Sequence, residues 1–351
     1  MTRFSNETLE AAGMNPDEFN DRQVEVILGA LRHVRSFVYA KALPGVMRAY
    51  GEDSVVARDL KTGLAQVRAF GQEHLDWREG GPRRRDAPTL PPDKASVLVE
   101  LGEEMGMLGS GNAHGKVVDR LLVQGSYAVG VEERTILAKS HMAHQLRGSS
   151  GVVPTVLGLA NGRSLTAEDR VEELPYARGA KTEFDVVSAA IRSHFGAEAI
   201  GEEIVEADLF GMLFDEPGEV RRYVLPNDGG EAVVLRAPKV EGRKEGFANT
   251  ADTHMFAVQA LGVENVLGET VLGTTTQVYA GYQRIDMIRK WGLPYAAQVE
   301  MAGFYDAEWT QPAHLGQEYK AVMDQATFLM DDLEVLANRE PALRSVIDLG
   351  A

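Results

Sequence analysis

The sequence predicts an α/β fold in three layers, a parallel sheet with helices on both faces, preceded by an N-terminal helical extension. From about residue 93 onward, short apolar runs that end in Gly, Ser, Thr or Asn alternate with helical stretches. Such alternation is typical of right-handed βαβ units. Before residue 79 the apolar residues recur at helical spacing alone, and a segment rich in Gly and Pro separates the two regions.

The N-terminal region carries two stretches whose apolar residues predict helices. Val24 to Val38 has apolar residues three and four positions apart, and Leu60 to Phe70 resumes this pattern after Pro44. Glu79 to Pro92 is rich in residues that break helices and predicts a linker. We therefore divide the chain into a helical extension with its linker, residues 1–92, and an α/β ligand-binding domain, residues 93–351.

The α/β region contains five apolar runs that predict strands. In chain order they are Leu121–Gln124, Val152–Gly158, Ala232–Leu235, Thr270–Thr274 and Ala297–Glu300. The predicted helices are Val131–Leu146, Glu183–Phe195, Thr250–Leu261, Tyr279–Trp291 and a closing helix, Lys320–Leu336. In residues 204–226 the apolar residues follow neither the helical nor the strand spacing, so no element is predicted there. In folds of this kind ligands bind outside the carboxyl ends of the strands, where polar loops follow.

Composition and charge exclude several classes of protein. The 52 acidic and 36 basic residues give a net charge of -16, and an acidic surface repels phosphate backbones, so we expect no nucleic-acid partner. The chain has no cysteine, which excludes disulfides and thiolate metal sites. No apolar run has the roughly 18 residues of a membrane span, and the N-terminus lacks a signal-peptide core. We expect a soluble cytoplasmic protein with no membrane partner and no metal site, and the sequence identifies no cofactor.

Two segments resemble nucleotide-binding loops but lack required residues. Val97 to Gly102 resembles the strand and turn that open a dinucleotide-binding fold, yet Glu104 stands where the pattern needs Gly. Ser110 to Lys116 resembles a phosphate-binding loop, yet Val117 stands where that loop needs the Ser or Thr that holds magnesium. Neither segment therefore predicts a phosphate site.

Polar segments follow four of the predicted strands, at the positions where folds built from βαβ units bind their ligands. The residues are Gly125 and Ser126; then Gly158, Asn161, Gly162 and Arg163, with Glu183 opening the next helix; then Asn249, Thr250, Asp252 and Thr253; and last Thr275 and Thr276. Several of these residues would also serve as ordinary helix N-caps. Free N–H groups at helix N-termini bind anions as well, so the two roles are compatible. Their joint placement after successive strands favours a ligand site.

In these segments the sequence resembles the YdcF/SanA-like proteins, long classed as a domain of unknown function. Gly125-Ser126 matches the glycine turn after the family's first strand, and Thr182-Glu183 matches its acidic helix start. Asn249-Thr250 matches its Asn-Thr motif, and Thr275-Thr276 matches its Thr-Ser strand end. The resemblance covers roughly residues 117–303.

The chain departs from that family at two motifs. Asp252 stands where the family has Glu, and Tyr279 stands where it has a His followed by an Arg that this sequence lacks. If that His performs chemistry in the family, this protein performs it differently or not at all.

The resemblance implies a Rossmann-like fold and a small anionic, phosphorylated or nucleotide-like ligand. Arg163 would hold an anion, and Glu183 or Asp252 would act as general acid or base or orient a ribose. These expectations describe an enzyme of small-molecule metabolism. Two alternatives remain open: a non-catalytic sensor whose N-terminal helices report ligand occupancy, and a homo-oligomeric scaffold that uses those helices as its contact surface.

Overall fold

A computed structural model of the chain describes residues 4–77, 87–111, 116–147, 152–205, 217–240 and 248–350. Most of the predicted linker and part of the Ser110–Lys116 loop lie outside these residues. The described strands form one seven-stranded sheet flanked by helices, which confirms the predicted Rossmann-like α/β fold with N-terminal helices. No described helix combines the length and the apolar character needed to cross a membrane.

The N-terminal region is helical, as predicted. Its helices are α1 (Asn6–Ala11), α2 (Pro16–Val38), α3 (Leu43–Ala49), α4 (Leu60–His74) and α5 (Pro92–Glu104). Asn15 caps α2 because its side chain accepts a hydrogen bond from Glu18 N at 2.8 Å, and Asp59 caps α4 in the same way. Pro44 lies in the first turn of α3, where a missing N–H is tolerated.

The α/β region contains all five predicted strands, with ends shifted by a few residues. Its strands are β1 (Arg120–Gln124), β2 (Thr155–Asn161), β3 (Glu198–Val205), β4 (Gly218–Leu225), β5 (Gly230–Ala237), β6 (Thr270–Thr276) and β7 (Gln298–Phe304). Its helices are α6 (Ala128–Arg147), α7 (Glu183–Phe195), α8 (Thr250–Leu261), α9 (Ala280–Met287), α10 (Leu293–Tyr295), α11 (Pro312–Arg339) and α12 (Arg344–Gly350). A π-helical turn, Ile288–Gly292, joins α9 to α10.

The sheet is mostly parallel, as predicted, and includes one antiparallel strand. The strand order is β3-β4-β5-β2-β1-β6-β7, and the five strands from β5 to β7 run parallel. Strand β4 is antiparallel to both of its neighbours. A short turn suffices to join antiparallel strands, and residues 226–229 connect β4 to β5 in this way. Strand β4 lies within residues 204–226, where the apolar residues follow neither the helical nor the strand spacing, and β3 ends there.

Each face of the sheet buries its own core. Leu122, Leu157 and Leu235 point to one face and belong to the core that α8, α9, α11 and the N-terminal helices share. Val123 and Val156 point to the opposite face and pack with α6 and α7. We call these the α9 face and the α6 face. The boundary at residue 92 stays a prediction, because the helices before it share the core of the α9 face.

The chain changes direction across the sheet at β1. From β1 it passes to β2 on one side, and after β5 it returns to β6 on the other side. The carboxyl ends of β1 and β6 therefore flank a topological switch point, the place where open α/β sheets bind ligands.

Gly158 tests how tightly the α6 face is packed. It lies inside β2, where a Cβ would stand 2.6 Å from Val187 Cγ1 and 2.8 Å from Ile191 Cδ1. We expect Gly158→Ala to lower the free energy of unfolding by about 1–3 kcal/mol, since overpacking a filled core forces its neighbours to move. Urea denaturation measures this loss.

Gly29→Ala is the matched control for that substitution. Gly29 lies within α2, and a Cβ there meets no atom within 4 Å. This variant should be as stable as the wild type or more stable by roughly 0.5–1 kcal/mol, because Ala favours a helix over Gly. Equal stability of Gly158→Ala and the wild type would contradict the packing described for β2.

Candidate functional site

The structure places most of the predicted site residues at the carboxyl edge of the sheet. They are Gly125 and Ser126 after β1, Asn161, Gly162 and Arg163 at and after β2, Glu183 opening α7, Asn249, Thr250, Asp252 and Thr253 around the start of α8, and Thr275, Thr276 and Tyr279 at and after β6. Gly158 differs, since it lies inside β2 and packs against α7. Strand β2 begins at Thr155 and ends at Asn161, three residues later than the predicted strand Val152–Gly158. Gly158, which is predicted to end that strand, therefore lies within β2. The ligand-binding role of all these residues stays a prediction.

Glu183 lies buried against the turn that follows β1. Its Oε1 stands 2.0 Å from the position that a Cβ on Gly125 would take, so a larger residue at 125 would displace the carboxyl group. The Asn161 N–H donates to Oε1 at 3.5 Å, and Arg163 Nε donates to Oε2 at 3.3 Å. Burial raises the pKa of Glu183, which favours the protonated form. The glycine turn and the acidic helix start are therefore one structural unit.

Arg163 is already paired within the protein. Its Nη1 and Nη2 donate to the two carboxylate oxygens of Asp169 at 3.0 and 2.7 Å, a bidentate ion pair. Asp169 is 2% exposed and also accepts from the N–H of Thr166 at 2.7 Å. With Asp169 and Glu183 both on its guanidinium, Arg163 would have to exchange internal partners to hold an anion.

Arg134 is the cation at this edge that sequence reasoning missed. It lies on α6 with 2% of its surface exposed, and its Nη1 donates to the carbonyl oxygens of Gln124 at 3.0 Å and Gly125 at 2.6 Å. Its Nη2 contacts the hydroxyl of Thr276 at 3.4 Å. Among the described residues, no carboxylate oxygen lies within ion-pair distance, 4.0 Å, of this guanidinium. Its Nε also lacks a hydrogen-bond partner there.

The surroundings of Arg134 are polar but carry little compensating charge. Burial lowers the pKa of Arg134, and the nearby Tyr282, Tyr279, Tyr127 and Glu183 oppose that shift. The sequence contains a pattern that could have identified Arg134. It lies three or four positions from Val131 and Ala138, on the same side of α6 as these buried residues and Met142. A lone charge on an apolar stripe indicates a buried cation.

An ordinary capping box accounts for the polar start of α8. The side chain of Asn249 accepts from the N–H of Asp252 at 2.9 Å, and Asp252 Oδ2 accepts from the N–H of Asn249 at 2.9 Å. The hydroxyl of Thr253 donates to the carbonyl of Thr250 at 2.7 Å. Local bonding thus explains the clustering of these side chains, and their contact with a ligand stays a prediction.

Aromatic side chains line the edge beside β6 and β7. The buried ring of Tyr279 lies 6.0 Å from that of Tyr282 and 6.3 Å from that of Trp309. The Tyr127 hydroxyl donates to Asp306 Oδ2 at 2.8 Å and accepts from Trp309 Nε1 at 3.1 Å. Burial raises the pKa of Tyr127 to about 12, so this phenol keeps its proton at neutral pH.

Gln124 links the edge to the interior of the α9 face. Its Nε2 lies 2.8 Å from His254 Nε2 and 3.8 Å from Met287 Sδ. Burial lowers the pKa of His254 to about 3, so the imidazole is neutral. Because the amide nitrogen of Gln124 can only donate, His254 Nε2 is the acceptor of this hydrogen bond. No group of three or more His, Asp or Glu side chains among the described residues is arranged to hold a metal ion.

The buried, neutral state of His254 makes stability depend on pH. Because its pKa is about 3 when folded and 6.5 ordinarily, the unfolded chain binds a proton below pH 6.5 that the folded chain excludes. This histidine therefore removes about 2 kcal/mol of stability as pH falls from 6.5 to about 5. We expect His254→Gln to lose that component of the acid sensitivity, measured by urea denaturation at several pH values.

His144→Gln is the control for this pH dependence. His144 lies on α6 and is exposed, and this variant keeps the buried imidazole of His254, so the acid sensitivity attributed to His254 should persist. The same slope of stability against pH in His254→Gln as in the wild type would show that His254 is not held neutral.

Comparison with known proteins finds relatives without an assigned activity. The chain is 30% identical over 296 residues to the uncharacterized proteins Rv3785 and MT3893 of two strains of Mycobacterium tuberculosis and to the uncharacterized protein Mb3814 of Mycobacterium bovis. Each match covers 79% of this chain and 78% of the relative. No protein-family model matches the chain, and no solved structure gives a significant match.

Proposed function

The chain belongs to the same family as these mycobacterial proteins, and we propose that it binds a small anionic, nucleotide-like metabolite at the switch point between β1 and β6. The resemblance to the YdcF/SanA-like proteins supports the same ligand class. We propose that the protein acts in the cytoplasm as an enzyme of small-molecule metabolism.

The buried guanidinium of Arg134 carries this proposal. A buried charge without a partner ordinarily costs several kcal/mol, so proteins pair such charges or neutralise them. Arg134 instead donates to two carbonyl groups and one hydroxyl, none of which carries a charge. An anionic group of a ligand would supply the missing negative charge and accept from the unused donors of the guanidinium.

The two arginines at the edge have different roles in this proposal. Arg163 is neutralised by Asp169 and holds the loop after β2, whereas Arg134 keeps its charge for the ligand. This arrangement moves the anion site predicted at Arg163 to the base of the glycine turn. The absence of a side chain at Gly125 leaves room for the Glu183 carboxyl group beside this site.

Glu183 is the group we propose for acid or base chemistry. Its carboxyl group lies against Gly125, and burial raises its pKa, as for catalytic carboxylic acids that must keep a proton near neutral pH. The sensor alternative has one supporting contact: Phe37 on α2 lies 3.0 Å from the Cβ position of Gly281 at the start of α9. Turnover of a retained metabolite would support the enzyme, and its unchanged release would support the sensor.

Replacement of Arg134 tests the anion site. We expect native mass spectrometry of the wild-type protein, purified gently from cells, to show a bound small anion. Arg134→Gln should lose that ligand, while Arg134→Lys should retain the charge and bind more weakly, since Lys cannot match the planar fork of Arg.

The control variant is Arg147→Gln, which removes an exposed arginine from the end of the same helix. It should retain the ligand, and circular dichroism should show that all variants are folded. Equal ligand occupancy in Arg134→Gln and the wild type would remove Arg134 from the site. If Arg134→Gln does not fold, the Lys variant decides by its affinity.

A further inference from the structure

Among the described residues, several buried polar atoms on the α9 face lack hydrogen-bond partners. Three of them belong to side chains around the end of β1: His254 Nδ1, Thr275 Oγ1 and Gln283 Oε1. The three side chains are 0%, 0% and 5% exposed. Folded proteins pair nearly all such groups, and each unpaired one lowers stability, so three together require an explanation.

Strand pairing and helix geometry bring these side chains to one place. Val123 pairs with Thr274, so the next residues, Gln124 and Thr275, are neighbours on β1 and β6 and point to the α9 face. Gln124 contacts both His254 on α8 and Met287 on α9. Gln283 lies one helical turn before Met287, on the same side of α9. We call Gln124, His254, Thr275 and Gln283 the neutral cluster.

The neutral cluster offers hydrogen bonds of both kinds and no charge. Since His254 Nε2 accepts from the Gln124 amide, its proton lies on Nδ1, which is an unused donor. Gln283 Oε1 is an unused acceptor, and the Thr275 hydroxyl can serve as either. Next to the cluster, the Cβ position of Gly273 lies 3.0 Å from the sulfur of Met287 and 2.4 Å from that of Met301.

This chemistry differs from that of the anion site. A phosphate or carboxylate would find no cation in the neutral cluster, whereas an uncharged planar ring with donors and acceptors on its edge would find matching groups. Polarizable methionine sulfur also packs favourably against aromatic rings. Nitrogen heterocycles of the nucleobase class have these properties.

The two sites meet at Gln124. Its carbonyl oxygen accepts from Arg134 Nη1 at 3.0 Å, and its side chain contacts His254 on the other face. A single ligand could therefore place its anionic group near Arg134 and its ring in the neutral cluster, with the end of β1 between them.

We propose that the neutral cluster binds the uncharged nitrogen heterocycle of a nucleoside or nucleotide. The link to a phosphate at Arg134 rests on the proposed function, whereas recognition of the ring does not. Because the cluster is closed to solvent, the loops at the carboxyl edge must separate before the ring enters. Association of the ring is therefore slowed by this conformational change.

The test uses the full-length protein with defined probes. Isothermal titration calorimetry and saturation-transfer NMR measure binding of adenosine, guanosine, cytidine and uridine, of their 5′-monophosphates, and of inorganic phosphate. We expect at least one uncharged nucleoside to bind. Its monophosphate should bind at least tenfold more tightly in the wild type but not in Arg134→Gln.

Thr275→Val and Gln283→Leu test the cluster itself. Each should weaken nucleoside binding about tenfold while leaving the melting temperature equal or higher, because each removes a buried oxygen that has no partner, and Gln283→Leu gives up only a long 3.3 Å bond from Nε2 to the Tyr282 hydroxyl. Gln72→Leu, at an exposed position of α4, should leave both unchanged. A group that serves structure alone would instead lower the melting temperature and leave nucleoside affinity intact.

Each outcome separates this proposal from the anion site. If nucleosides bind equally well in the wild type and in Arg134→Gln, and phosphate adds nothing, the anion site fails and the neutral cluster stands. If no nucleoside or monophosphate binds the wild type, or if both cluster variants bind normally, the neutral cluster is not a ligand site. Unfolding of Thr275→Val would also overturn the proposal, since its hydroxyl would then be structural.

Discussion

The hydrogen bonds of Arg134 to the ends of β1 and β6 are the constraint around which the carboxyl edge is arranged. The guanidinium lies between the carbonyl groups of Gln124 and Gly125 and the hydroxyl of Thr276, so it fixes two strands where the chain reverses direction across the sheet. Fixing the turn at Gly125 in turn determines where Glu183 packs. The position of α7 and the loop that Arg163 holds then follow, because both begin beside that carboxyl group.

The opposite edge of the sheet handles a buried charge in the ordinary way. There Arg120 forms an ion pair with Glu269, and Trp291 Nε1 donates to the same carboxylate at 2.8 Å. Arg120 also donates to the carbonyl of Asn265 at 2.6 Å. At the carboxyl edge Arg163 is likewise paired with Asp169 and Glu183, whereas Arg134 has no counter-ion within 4.0 Å among the described residues. A buried charge without a counter-ion indicates a site that a second molecule completes, since folding alone favours pairing it.

Much of this fold could be predicted because its buried strands are strongly patterned. The runs at β1, β2, β5, β6 and β7 are apolar and are each followed by polar residues, so alternation with helices revealed them. Strand β3 could not be found in this way. Strand β3 lies at the sheet edge with both faces exposed. Ile200 and Ile204 are therefore exposed, and the strand shows no alternation of buried and exposed residues. Burial patterns predict strands only where one face of the strand is buried.

The candidate site also has features that depend on the local sequence and features that depend on residues distant in the sequence. Polar residues after strands could be located from the sequence, and the caps at Thr182 and Asn249 follow from local rules. The lack of a counter-ion at Arg134, and of hydrogen-bond partners for one side-chain atom each of His254, Thr275 and Gln283, could not be predicted. It depends on which residues other elements place beside each side chain. Those four residues come from four different elements: α6, α8, β6 and α9. Gln124 lies between them because it ends β1, the strand at which the chain changes direction across the sheet. The strand order, rather than any sequence motif, therefore brings the charged and the neutral groups together.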